Sequence, residues 1–95
     1  MNLGESLRQV RVKKGFNQKS FCKKIGVSQS YLSLVERNKK TPSVEILKKI
    51  SKGVGMPVAI LWWFTFEEND VETEKVEKFR LLKPSIDNLI TEIFN

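Results

Sequence analysis

Histidine is absent from the chain and cysteine occurs once, at Cys22. A lone thiol excludes an intrachain disulfide. Without imidazole, neither a zinc site of Cys/His type nor a nucleophile activated by histidine can be assembled. No Gly-rich phosphate loop or cluster of metal ligands takes their place, so the sequence predicts no cofactor and no enzymatic activity. Cys22, set between Phe21 and Lys23, reads as a small buried hydrophobe rather than a reactive thiol. Long apolar runs are missing as well. The longest, Met56 to Phe64, is far shorter than the ~20 residues that a bilayer-spanning helix needs. The basic start MNLGESLRQVRVKKG lacks the apolar core and small-residue cleavage site of a secretory signal. A cytoplasmic protein with no membrane partner is therefore expected.

Acidic residues are scarce in one half only. Through Val58 the chain carries 13 Lys+Arg against 3 Asp+Glu, and from Ala59 onward 4 against 8. A strongly basic first half beside an acidic second half points to a polyanion as the partner of the first. The whole is 95 residues, 40% apolar and 29% charged. That composition suits one small globular domain, or one domain with an appendage.

The apolar periodicity is helical. Leu3, Leu7, Val10 and Val12 outline a first helix ending near Lys14, where Gly15 stops it. Asn17 can cap a second helix whose Phe21, Cys22 and Ile25 share a face, and Gly26 ends it after about two turns. Ser28 caps a third almost at once, with Leu32 and Val35 turned the same way. Asn38, which tolerates the left-handed conformation, lets the chain leave that helix. After the loop KKTPS, Thr41 or Ser43 can cap a fourth helix with Pro42 in its first turn, and Gly53 and Gly55 end it. Val58 to Phe66 reads as a fifth helix, with strand as the competing reading given its aromatic and β-branched content. Glu67 to Glu74 is a polar, acidic linker or helix start. In the tail, Val76, Phe79 and Leu82 form one stripe before Pro84 interrupts. Ile86, Leu89, Ile90 and Ile93 then form another, with Ser85 as its possible cap. The expected fold is all-α: a five-helix domain over residues 1–66 and a C-terminal helical extension over 67–95.

Two short helices joined by a tight glycine turn, the second beginning at a capping serine, make a helix-turn-helix. Leu32 and Val35 must face Phe21, Cys22 and Ile25, which leaves Gln29, Ser30 and Ser33 outside. Serine is an indifferent helix former. Short donors and acceptors on that side suit base edges, phosphates or bridging waters better than they suit helix stability.

At this point the sequence resembles the lambda-repressor-like, or Xre, family of DNA-binding domains. The likeness runs from about Leu3 to Trp63. It rests on three motifs in order: G-F-N-Q at Gly15 to Gln18, IGVSQSYLSLVE at Ile25 to Glu36, and TPSVEIL leading to a glycine-containing helix end. The resemblance implies double-stranded DNA as partner, with a recognition helix over about 28–37 in the major groove. It places Gln29, Ser30 and Ser33 at base edges. Asn17, Gln18, Ser28, Arg37, Lys39 and Lys40 fall at phosphates, and Arg11 with Glu36 forms a structural pair linking the first and third helices. Leu34 departs from the polar residue that relatives often carry, and an apolar side chain there can only meet a thymine methyl or pack elsewhere. Tyr31 can touch the backbone or serve as structural support.

The cluster ILWWFTF is too large for so small a core, since each large ring carries roughly 150–250 Å². Part of it should be covered by the tail or by a second copy. Operators of the family are usually near-palindromic, and one module with few base contacts binds weakly, so a homodimer is expected. Trp63, Phe66, Ile86, Leu89, Ile90 and Ile93 are the candidate interface residues. Three functions compete: a homodimeric regulator, an antitoxin-like protein whose tail or aromatic patch binds a toxin partner, and a purely structural interaction module.

Overall fold

A computed structural model describes residues 1–94. It contains α1 (Leu3–Lys13), α2 (Gln18–Ile25), α3 (Gln29–Glu36), α4 (Val44–Val54), α5 (Val58–Trp63) and α6 (Val76–Phe94). Two 3-10 turns, Glu68–Asp70 and Thr73–Lys75, lead into α6. The described residues include no strand, so the fifth segment is helix, but it stops at Trp63 rather than running to Phe66.

The helix starts follow from their caps. The side chains of Asn2, Asn17, Ser28 and Ser43 accept hydrogen bonds from the amides of Glu5, Ser20, Tyr31 and Ile46. Each satisfies an amide that the first turn leaves without a partner, an effect of about 1 kcal/mol per helix. Of the two candidate caps before α4, Ser43 takes the role, and Pro42 lies just outside the helix, buried. Gly26 and Gly55 close α2 and α4 at φ of 75° and 70°, in the left-handed region.

Gly53 does something other than ending α4. It lies inside the helix, where an added Cβ would stand 2.6 Å from Ile25 Cγ2 and 2.9 Å from Phe21 Cε1. Its bare Cα lets α4 cross α2 in direct contact. The core forms around this crossing: Phe21, Ile50, Leu32 and Val35 are all but inaccessible, and Leu61 of α5 closes one end. Thr65, wholly buried, keeps its hydroxyl satisfied by donating to the Trp62 carbonyl at 2.7 Å.

The tail differs from expectation at Pro84. Instead of breaking there, α6 runs unbroken through it, and Ser85 caps nothing. Proline removes one backbone hydrogen bond and crowds the preceding turn, costing about 3 kcal/mol in a helix interior. Here Pro84 is on the solvent side, where water can serve the freed carbonyl. Side-chain ties on both flanks also fix the helix course. Arg80 makes two hydrogen bonds to Glu68, and Asp87 accepts from both Lys83 and the Trp63 indole. Phe79 packs beside the Trp63 ring and Ile90 is buried. Beyond these contacts α6 leaves much apolar surface open: Leu81, Leu82, Ile86, Leu89 and Ile93 are all exposed.

Candidate nucleic-acid interface

The turn between α2 and α3 places α3 across the first two helices with one side in the core. Leu32, Val35 and Glu36 are its buried residues. A buried carboxylate in so small a core needs partners. Arg11, itself buried on α1, donates from Nε to Glu36 Oε2 at 2.7 Å and from Nη2 to Oε1 at 3.0 Å. Its remaining Nη1 donates to the Phe16 carbonyl at 2.6 Å. The planar fork matches the carboxylate in a bidentate pair. Among the described residues, no buried side-chain polar atom is left without a partner.

The same carboxylate reaches towards the surface. Gln18 Nε2 donates to Glu36 Oε1 at 2.9 Å, so the amide of this half-buried residue is held with its oxygen and second N–H to spare. A second clamp sits just beyond the same end of α3. Asn38, at φ 58°, accepts from the Gly4 amide at 2.9 Å and donates from Nδ2 to Asn2 Oδ1 at 2.8 Å. A Cβ at Gly4 would lie 2.5 Å from the Val35 carbonyl. The N-terminus of α1 therefore rests directly on the last turn of α3.

The polar residues singled out in the sequence lie around this frame. Gln29, Ser30, Arg37, Lys39 and Lys40 are exposed, while Gln18 and Ser33 are half-buried. Asn17 and Ser28 are exposed but already occupied as helix caps. Arg37 folds back so that Nε donates to the Ser33 carbonyl at 3.3 Å. Lys40 stands 5.3 Å above the half-buried Tyr31 ring. Leu34 is half-buried too. Lys14, whose ammonium donates to the Phe94 carbonyl, is committed to holding α6.

An open cleft of about 600 Å³ joins Gln18, Ser33, Glu36 and Arg37 to Asn2, Glu5, Arg8 and Asn38. Sequence reasoning missed Arg8, one turn before Arg11, and missed the side-chain roles of Asn2 and Asn38. The i, i+3 spacing from Arg11 was the available signal for Arg8. Nothing local marks two asparagines 36 positions apart as partners. Cys22, buried behind α3, is held away from reactivity, since burial pushes its thiol pKa up, the nearby Glu36 carboxylate adds to the effect and Arg11 opposes it. The described residues hold no group of three or more candidate metal ligands, and no helix is long and apolar enough to cross a membrane.

Comparison with known proteins places this geometry. The family model described as helix-turn-helix matches residues 7–61. Over 60 residues the chain is 38% identical to the HTH-type transcriptional regulator SinR of Bacillus subtilis, an overlap covering 62% of this chain and 54% of SinR. The match thus spans about half the length of that relative. The uncharacterized HTH-type transcriptional regulator YqaF of the same species is 31% identical over 72 residues, covering 76% of this chain and 90% of YqaF. Among solved structures, the restriction-modification controller protein C.AhdI from Aeromonas hydrophila aligns with a TM-score of 0.61 at 27% identity. That alignment takes in 63% of this chain and 91% of the other.

Proposed function

The chain belongs to the helix-turn-helix family, in its lambda-repressor-like or Xre branch, and on that premise we propose that it is a sequence-specific DNA-binding transcriptional regulator. It acts as a homodimer on a near-palindromic operator, with α3 and its flanks, about residues 28–37, in the major groove. The observation that carries the reading is the two-sided character of α3. Its inner side is fixed by Leu32, Val35 and the Arg11–Glu36 pair, while Gln29 and Ser30 stand free at its N-terminal end.

Gln29 is the main reader, since its amide can pair bidentately with adenine, and Ser30 and Ser33 add single hydrogen bonds. Gln18, steadied by Glu36, grips a phosphate with its free N–H. Arg37, Lys39 and Lys40 supply cations beyond the helix end. Arg8 and Arg37 flank the cleft described above and suit a passing phosphate. Nothing in this scheme needs a cofactor.

Selection of tight-binding duplexes from a random pool near physiological salt, with the best duplex titrated against wild type and Gln29→Ala, tests the reading. A two-fold symmetric motif is expected, with a loss of about 1–3 kcal/mol on substitution, concentrated at one base position. Binding should also weaken steeply with added salt. If no motif emerges and Gln29→Ala binds like wild type, the proposed readout fails.

A further inference from the structure

Four of the five exposed apolar residues of α6 fall together, and the fifth, Leu81, lies about a quarter turn to the other side. Leu82, Ile86, Leu89 and Ile93 follow one another at spacings of four, three and four, a 3.5-residue repeat that keeps all four on one narrow stripe. They are 57%, 36%, 58% and 70% exposed. The side that holds α6 to its own domain is another one. Lys83, Asp87 and Ile90 make those contacts, and they lie about a quarter turn away at 3.6 residues per turn. Ile90, grouped with the outer stripe on sequence alone, faces inward, and Trp63 spends its indole N–H on Asp87 at 2.8 Å. Thus α6 has a docked side and, beside it, a free seam built only of leucine and isoleucine.

We propose that this seam is where a second copy of the chain docks, through an antiparallel pairing of the two α6 helices about a two-fold axis between Ile86 and Leu89. Each layer then joins one leucine to one isoleucine: Leu82 to the partner's Ile93, and Ile86 to the partner's Leu89. A self-complementary patch of this kind closes at two copies.

Charge selects both the occupant and the direction. The first half of α6 carries Lys78, Arg80 and Lys83 against Glu77, and the second half carries Asp87 and Glu92 with no cation. In a parallel pair Lys78 would flank the seam opposite the partner's Lys83, a like-charge contact. In the antiparallel pair the basic half of each helix lies along the acidic half of the other, and Lys78 comes within reach of the partner's Glu92. The helix dipoles oppose each other as well. Four side chains from each copy make a small interface, so the pairing is concentration-dependent. The inference rests on the homodimeric reading above and gives it a surface.

The test is the association constant of the full chain by sedimentation equilibrium, compared with Leu89→Lys and Ile93→Lys. Both positions are exposed in the monomer, and unchanged far-ultraviolet dichroism and tryptophan emission check that each variant folds. A monomer–dimer equilibrium weakened about tenfold or more by either lysine is expected. Direction is read by cross-linking in a Cys22→Ala background. Mixing Leu82→Cys chains with Ile93→Cys chains should give disulfide-linked heterodimers, with far less cross-linking in either chain alone. If the chain dimerises and both lysine variants dimerise as tightly, the seam is wrong while the homodimer survives. If cysteine at 82 links efficiently to itself, the direction is wrong. A wild type that remains monomeric at hundreds of micromolar, on DNA and off it, or that takes a different polypeptide on this stripe in preference to itself, overturns the proposal; the monomeric result removes the homodimer as well.

Discussion

The molecule uses the same forked arginine–carboxylate pair twice, in two different settings. Arg11 and Glu36 meet in the core with side chains 7% and 2% exposed, whereas Arg80 and Glu68 meet on the surface at 59% and 50%. Their shortest distances are identical, 2.7 Å. Distance therefore says nothing about what each pair is worth; the surroundings decide. In the core, removing one partner strands the other charge where water cannot reach it. On the surface, water and salt take over at once. The pair behind α3 accordingly fixes a geometry, and the pair beside α6 only helps aim a helix that other contacts already hold.

The comparison can be broken most severely at Arg11. Arg11→Met should cost about 3–5 kcal/mol in urea denaturation, because Glu36 stays buried without its partner. Replacing Glu36 by Met in the same chain should recover much of the loss, since the penalty belongs to the stranded charge. A cost below about 1 kcal/mol for the single variant would mean that Glu36 escapes to solvent. An uncharged control for the same core is Gly53→Ala. Its new methyl would fall 2.6 Å from Ile25 Cγ2, and the overpacking should cost about 1–3 kcal/mol by the same measurement. A neutral result would show that α2 and α4 can part without penalty.

The smallest effect belongs to the surface pair. Arg80 holds the Glu68 carboxyl below the usual range, first through its hydrogen bond and then through its charge. A lowered carboxyl pKa contributes stability above the ordinary glutamate range and loses it as pH falls through the lowered value. Because the pair is open to solvent, Glu68→Gln should leave the denaturation midpoint at neutral pH unchanged within error. Only below about pH 4 should wild type lose a slight advantage over it. An effect comparable to that of Arg11→Met would erase the distinction between the two settings.

Features set by neighbours in sequence were legible. Caps at Asn17 and Ser28, the helix end at Gly26, the left-handed exit at Asn38 and the inward side of α3 all follow from local rules, which narrowed the α4 cap to Thr41 or Ser43, and the Arg11–Glu36 pair followed from the family resemblance. Gly53 misled because a glycine near a helix end looks like a stop, whereas its use here depends on Ile25 and Phe21, far away in sequence. Pro84 misled in the opposite sense. Its local cost is real, but Arg80, Lys83 and Asp87 hold the helix through it. In the tail, periodicity showed apolar positions without saying which of two adjacent sides meets the domain, so Ile90 could not be separated from Ile86, Leu89 and Ile93. The cleft holding Arg8, Gln18 and Asn38 gathers residues from three elements and was invisible for the same reason.

The split personality of α3 has one more result. What keeps the helix in place comes from Leu32, Val35 and Glu36, and what it shows the outside comes from positions 29, 30 and 33. Point substitutions at the exposed Gln29 and Ser30 are expected to cost folding little, since neither side chain touches the core. On the proposed readout, a lineage of such chains would drift from one target sequence to another by single steps, each intermediate still a folded protein, because the alphabet it displays is not the mortar that holds it up.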